Sequence, residues 1–235
     1  MLPMAASEAA GAQRKALETV FSGQTPGLSN PMQIILLLTL LTLLPAVVMS
    51  MTPFLRITVV LHFLRQALGT QSTPSNQVLI GLALFLTVLI VSPVAGEIYT
   101  KAWEPLEAGQ LTPQQAFEAG AAPLRTFLLR YAREKDIRLF LEITRTPPPP
   151  NPADLDLKVV IPAYVISELK TGFQIGAVLF LPFLIIDLVI ASVTLSVGMV
   201  QLPPVMVSAP LKILLFVLVD GWNLVVGSLV RSFYG

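Results

Sequence analysis

The chain has 235 residues, of which 54% are hydrophobic and 12% charged, with a mean hydropathy of +0.75; a soluble domain carries about 25% charged residues, so the composition points to a membrane protein. The 15 Lys and Arg nearly cancel the 14 Asp and Glu, leaving no field that would attract nucleic acid. There is no cysteine, which excludes disulfides, thiolate zinc sites and cysteine nucleophiles.

Residues 1–31 form a polar N-terminal segment. They lack the apolar core of about 7 to 15 residues expected of a signal peptide, so the chain is expected to begin after processing or without a cleaved signal. No residue between Glu18 and Arg56 is charged, and within that gap Met32–Ser50 approaches the roughly 20 apolar residues that cross a bilayer. This is the first expected span, interrupted by Pro45. A second charge-free gap separates Arg65 from Glu97; its apolar part, Val78–Val94, follows Pro74 and Ser75, which can start a helix. Pro93 is expected to end that helix. The two spans make residues 32–99 a first apolar helical hairpin. The single histidine, His62, lacks any ligand-like company and is read as a packed or interfacial residue. Arg56 and Arg65, with no acid in the same loop, place Met51–Gln77 in the cytoplasm by the positive-inside tendency. Both termini and the middle segment would then lie outside.

Residues 100–170 are different, because they hold nine basic and nine acidic residues and must be wet. Thr112-Pro113-Gln114-Gln115 fits a capping box with proline at the first helical position. Leu124, Phe127, Leu128 and Tyr131 then recur at helical spacing. An amphipathic helix is expected there, with Arg125, Arg130 and Arg133 away from its apolar stripe. Residues 146–152, TPPPPNP, are expected to be an extended spacer.

Residues 171–235 form a second apolar hairpin. Thr171–Leu211 carries only Asp187 and Ile213–Val230 only Asp220, with Gln201–Pro204 as the turn. A carboxylate at bilayer depth costs about 2.5 to 3.5 kcal/mol and normally faces protein or water. Neither span offers a basic partner. Three readings stay open for Asp187 and Asp220 as buried polar helix contacts: a protonated acid bonded to a backbone carbonyl, a member of a proton relay, or a charge reaching a basic residue on another subunit. Pro45 and Pro182 free backbone carbonyls that lipid cannot satisfy, so oligomerisation is expected. No phosphate loop, metal-spaced histidine pair or nucleophile elbow occurs; neither an enzyme nor a cofactor is expected.

Three segments carry a specific resemblance: Phe54–Val94; Pro162–Val193; and Leu202–Pro204 followed by Lys212–Phe233. Together they resemble the FliP family of flagellar export-gate proteins, which has injectisome relatives. The resemblance covers about Met32–Phe233, with the proline spacer poorly matched. It implies a core subunit of the type III export apparatus in the bacterial inner membrane at the flagellar basal body. Several copies would join FliQ and FliR in a helical pore crossed by unfolded export substrates. It also implies that the apolar hairpins pack largely against other subunits. Relatives place three methionines before the Leu-Pro-Pro turn as a deformable gasket; here the gate turn 198–204 reads Gly198-Met199-Val200-Gln201-Leu202, keeping one. The gasket role carries over to Met199, while Val200, Gln201 and Leu202 are loop positions. Relatives also generally begin with a cleaved signal, which Met1–Asn30 does not show.

The fold expected is therefore all-α and membrane-associated: two long apolar hairpins, a polar, partly helical middle segment, and an oligomeric pore assembly. Glu168 and Lys212, which bracket the second hairpin, are the candidates for polar contacts between subunits. The rival from another class is a small proton-coupled transporter using Asp187 and Asp220. Transporters are expected to show internal repeats, and Met32–Gly96 does not align convincingly with Thr171–Gly235. An assembly scaffold without a pore is a third possibility.

Overall fold

A computed structural model describes residues 30–70, 72–198 and 203–234. Most of the N-terminal segment and the residues expected to form the gate, Met199, Val200, Gln201 and Leu202, lie outside these. Among the described residues there is helix and no strand.

Helix α1, Asn30–Ser50, is apolar all round. Its few hydroxyls turn back onto the backbone, Thr39 Oγ1 donating to Ile35 O at 2.7 Å and Thr42 Oγ1 to Thr39 O at 2.9 Å. That is how a polar side chain is satisfied in an apolar setting. Pro45 lies inside the helix without ending it.

Helix α2, Phe54–Ala67, buries Ile57, Val60, Leu61, Leu64 and Ala67, a stripe at helical spacing. It ends in a Schellman turn: Thr70 N–H donates to Arg65 O at 3.4 Å and Gly69 N–H to Gln66 O at 3.0 Å, with Gly69 at φ +75°. His62 is half-buried, with Nδ1 3.2 Å from an Arg65 guanidinium nitrogen.

Helix α3, Asn76–Ile98, buries Leu79, Ala83, Leu86, Thr87 and Ile90 on one face. Contrary to expectation, Pro93 does not end it, and the chain stays helical through a π-turn, Tyr99–Trp103, to Glu107. Pro45, Pro123, Pro162 and Pro182 likewise lie inside helices, and at Pro93 the freed carbonyl finds another donor. Proline at 93 removes the donor that Leu89 O would use, and Tyr234 Oη donates to Leu89 O at 3.3 Å instead.

Helix α4, Pro113–Tyr131, starts with the expected capping box: Gln115 N–H donates to Thr112 Oγ1 and Thr112 N–H to Gln115 Oε1. Leu128 is buried, and Leu124, Phe127 and Tyr131 pack beside it. Arg133 falls beyond this helix, and it does not point away from protein. Its N–H donates to Ser167 Oγ at 2.9 Å and its guanidinium to Thr171 Oγ1 and Gln174 Oε1. Helix α5, Glu134–Thr144, follows, and then the proline run with a 3₁₀ turn at Pro152–Asp154.

Helix α6, Leu157–Ser196, is 40 residues long. Asp156 caps it, Oδ1 accepting from Lys158 N–H at 3.0 Å. It runs unbroken through Pro162 and Pro182, so Pro182 removes a donor without interrupting the helix. Gly172 and Gly176 form a small-xxx-small face against α2. A Cβ on Gly176 would stand 2.6 Å from Phe63, and one on Gly172 3.2 Å from Val59. Gly198, at φ +83°, ends α6.

After the turn come α7, Pro204–Leu218, and α8, Gly221–Tyr234. The expected single span over 213–230 is thus two helices bent by 67°. The break falls at Asp220, which has φ +51°, and at Gly221, where a Cβ would stand 2.2 Å from Phe216. Among the described residues, α3 with its extension and α6 are each long and apolar enough to cross a membrane; counting each bent pair as one span raises the number to up to four.

Candidate functional site: two buried ion pairs

The first polar junction forms where α2, α4, α6 and α8 meet. Arg56 shares the buried stripe of α2, one helical turn before Val60, and is 4% exposed; Glu168 lies on the α6 stripe of Tyr164 and Gly172 and is 0% exposed. Arg56 Nε donates to Glu168 Oε2 at 2.9 Å, and a terminal guanidinium nitrogen donates to Oε1. This is the bidentate fork that guanidinium and carboxylate geometry favours. The third guanidinium nitrogen donates to Ser232 Oγ at 3.1 Å, and the cation lies 4.0 Å from the centre of the Phe233 ring. Tyr131 Oη donates to Phe233 O at 2.5 Å. Burial pushes the Tyr131 phenol above its ordinary value, so it stays protonated and remains a donor. Three residues at the end of α8, Ser232, Phe233 and Tyr234, are thereby held by α2, α4 and α3.

Beside this junction, Ser167 Oγ donates to Asp136 Oδ2 at 2.7 Å. Asp136 occupies the first turn of α5, where the helix dipole favours a carboxylate.

The second junction answers the question of the lone carboxylate in the third span. Asp187 is half-buried, and both its oxygens are engaged within the chain. Lys212 Nζ donates to Oδ2 at 2.5 Å and Ser208 Oγ to Oδ1 at 2.6 Å. Lys212, 2% exposed, also donates to Ala67 O at 3.1 Å. Ala67 O belongs to the last turn of α2, whose carbonyls lack intrahelical partners, and a cation is favourable there. The close pass of α7 over this turn is visible at Gly69, where a Cβ would meet Ala209 at 3.3 Å.

The expectation that the spans offer Asp187 no basic partner is therefore corrected. Lys212 is inside α7, not at a loop, because α7 begins at Pro204 and folds back along α6. Asp187 lies ten residues before Val197 and Lys212 nine after Pro203, so the two stand at the same height on the arms of one hairpin. That count, with Ser208 and Lys212 four apart on one helical face, is the signal that would have found the pair. Asp220, expected as a buried contact, is exposed in the chain, at the break between α7 and α8. Glu168 and Lys212, expected to reach other subunits, both have partners within the chain. Sequence reading passes over Arg56; its signal is that a charge shares a stripe with Val60, Leu64 and Ala67. Among the described residues no group of three or more His, Asp or Glu could hold a metal.

Apolar helices of membrane-crossing length, two buried ion pairs and many large apolar side chains turned outward define a helical membrane protein. The chain belongs to the FliP family, whose model matches residues 37–229. It is 51% identical over 202 residues to the flagellar biosynthetic protein FliP of Pectobacterium carotovorum subsp. carotovorum, covering 86% of this chain and 78% of that one. Over 215 residues it is 48% identical to the protein of the same name from Bacillus subtilis (strain 168), covering 91% and 97%. Over 204 residues it is 50% identical to that of Cereibacter sphaeroides, covering 87% and 68%.

Proposed function

We propose that this chain is a core pore subunit of the flagellar type III protein export gate, through which unfolded flagellar proteins cross the bacterial inner membrane at the basal body. The observation that carries the reading is family membership along residues 37–229 with relatives named for flagellar biosynthesis. Surface chemistry supports it. α1, the outer face of α6 between Val178 and Leu195, and much of α7 expose large apolar side chains, far more than a monomeric soluble protein shows. Copies of the chain, together with FliQ and FliR, would cover part of that surface. The α6–α7 hairpin is the arm that presents the gate turn 198–204, and the Asp187–Lys212–Ala67 clamp ties both arms to α2, giving the turn a fixed base.

The transporter alternative uses Asp187 and Asp220 as a relay. It is disfavoured because both oxygens of Asp187 are engaged by Lys212 and Ser208. The test is a deletion of Met199–Gln201 in cells shown to contain the complex. The deleted gate should assemble and leak small solutes across the inner membrane. An ion-tight membrane would place the seal elsewhere. Purified chain that stays a monodisperse monomer and by itself transports protons would overturn the export reading.

A further inference from the structure

Helix α8 is fastened at its far end. Among the described residues, the hydrogen bonds that join it to other helices all involve Ser232, Phe233 and Tyr234: the Arg56 guanidinium donates to Ser232 Oγ at 3.1 Å, Tyr131 Oη to Phe233 O at 2.5 Å, and Tyr234 Oη to Leu89 O at 3.3 Å. The Phe233 ring adds to the fastening. It is 2% exposed, edge-on to Tyr131 with ring centroids 5.2 Å apart, and 4.0 Å from the Arg56 cation.

The rest of α8 is held more loosely. Its buried side chains, Val225, Leu229 and Phe233, recur every four residues, but a pocket of about 260 Å³ lies beside them, lined by Val225, Leu229 and Ser232 of α8, Val60 of α2, and Ile175 and Leu179 of α6. Protein interiors hold few voids larger than a water, and side chains that line such a gap lack partner atoms on one side. At its near end α8 leaves α7 at the 67° break, where Asp220 is exposed and has φ +51°. A helix with a sharp bend at one end, a gap along its inner face and all its hydrogen bonds to other helices at the other end is built to open as a unit. Local opening of this kind draws on segments with few buried contacts.

The fastened end also covers the first ion pair. Ser232 Oγ and the Phe233 ring both touch Arg56, so lifting α8 would let water reach the Arg56–Glu168 fork and weaken it by raising the local dielectric.

We propose that α8 is a hinged strap: it swings about residues 219–221, and the latching of Ser232, Phe233 and Tyr234 onto α2, α3 and α4 closes it over the Arg56–Glu168 pair. Closed, the strap keeps that pair dry and the register of α2 against α6 locked. Open, it releases both without unfolding the helices beneath. The strap does not depend on the export role.

The chain has no cysteine, so a single introduced thiol reports its own burial. Val225→Cys places one on the inner face of α8, and Val160→Cys places one in the separate cluster of α4, α5 and α6; the native valines are 6% and 0% exposed. Each full-length variant is purified in mild detergent and its rate of maleimide labelling is followed under native conditions, with the latch intact and with it weakened by Tyr131→Phe and Tyr234→Phe together. The strap requires the weakened latch to speed labelling at 225 roughly tenfold, while the rate at 160 changes less than about twofold. Ser232→Ala, a milder change, should speed labelling at 225 by a smaller factor and leave 160 unmoved. Equal acceleration at both positions would show that α8 opens only when the whole bundle does. Unchanged labelling at 225 would show that the three residues latch nothing, and either result overturns the proposal.

Discussion

Glu168→Gln is the sharpest test of the first junction, because it changes charge with almost no change of shape. In the native chain a fully buried carboxylate accepts two guanidinium bonds. Glutamine keeps one acceptor oxygen, but its amide nitrogen is a donor and faces another donor on Arg56. One charge-assisted bond, about 1.5 to 3 kcal/mol, is lost, and the guanidinium is left buried without a counter-charge. Breaking a buried pair in this way costs about 3 to 5 kcal/mol, a large share of a typical domain stability of about 5 to 15 kcal/mol. Arg56→Met should cost a similar amount, since it strands Glu168. The double variant Arg56→Met, Glu168→Leu removes both charges and should recover most of the loss, and with the singles Arg56→Met and Glu168→Leu it should give a coupling energy of about 2 kcal/mol or more in a double-mutant cycle. The assay is unfolding of the full chain in mild detergent by titrated dodecyl sulfate, followed by helical circular dichroism. A Glu168→Gln protein within about 0.5 kcal/mol of the parent, or additive single losses in the double variant, would refute the claim that this pair acts as one buried unit.

Other expectations follow from single contacts. Tyr234→Phe removes the donor to Leu89 O and should destabilise by about 1 kcal/mol; adding Pro93→Ala, which restores a backbone donor to that carbonyl, should shrink the effect in the same unfolding assay. Gly176→Ala should cost about 1 to 3 kcal/mol by overpacking against Phe63, and Gly172→Ala less, because its clearance is larger; equal losses would count against the close crossing. Asp187→Asn keeps an acceptor oxygen but leaves the buried Lys212 ammonium without its counter-charge, held by Ala67 O, so it should lower complex yield, though less than Asp187→Leu, which strands both donors and costs about 1 to 3 kcal/mol more. Normal complex with no export in Asp187→Asn would revive the relay.

The sequence reveals elements where local chemistry decides and misses those set by distant contacts. The capping box at Thr112, the apolar stripe of α4 and the apolar runs of α1, α3 and α6 are all legible, because each depends on residues within a few turns. Pro93 misleads for the opposite reason. Pro45, Pro162 and Pro182 also lie inside helices, so proline alone marks no boundary in this chain, and the hydroxyl that serves Leu89 O comes from Tyr234, 145 residues away. The α7–α8 break is hidden inside an apolar run, since hydropathy is blind to Asp220 adopting a left-handed conformation. The partner of Asp187 is missed because a boundary drawn at Leu211 makes Lys212 look like the edge of a span.

The placement of the two ion pairs explains why charges persist in so apolar a bundle. Helix α2 spans about 21 Å for its 14 residues and is fastened near both ends, by Arg56 in its first turn and by Lys212 at its last carbonyls. A cation in the first turn opposes the helix dipole, so Arg56 is not there to help α2 form. Its value lies in Glu168. The close crossing of Gly172 and Gly176 over Val59 and Phe63 already limits sliding of α2 along α6, and the ion pair adds a second, independent constraint on the same register. A shift of one turn, about 5 Å, would separate Arg56 from Glu168 while both stayed buried, at about 3 to 5 kcal/mol, which disfavours the slipped register roughly 10² to 10⁴-fold. At the far end the Lys212 clamp does the same for α7, and it does so at the base of the hairpin that carries residues 198–204. The gate proposed for residues 198–204 would need arms of defined height, and the two buried ion pairs add to the glycine crossing in setting it.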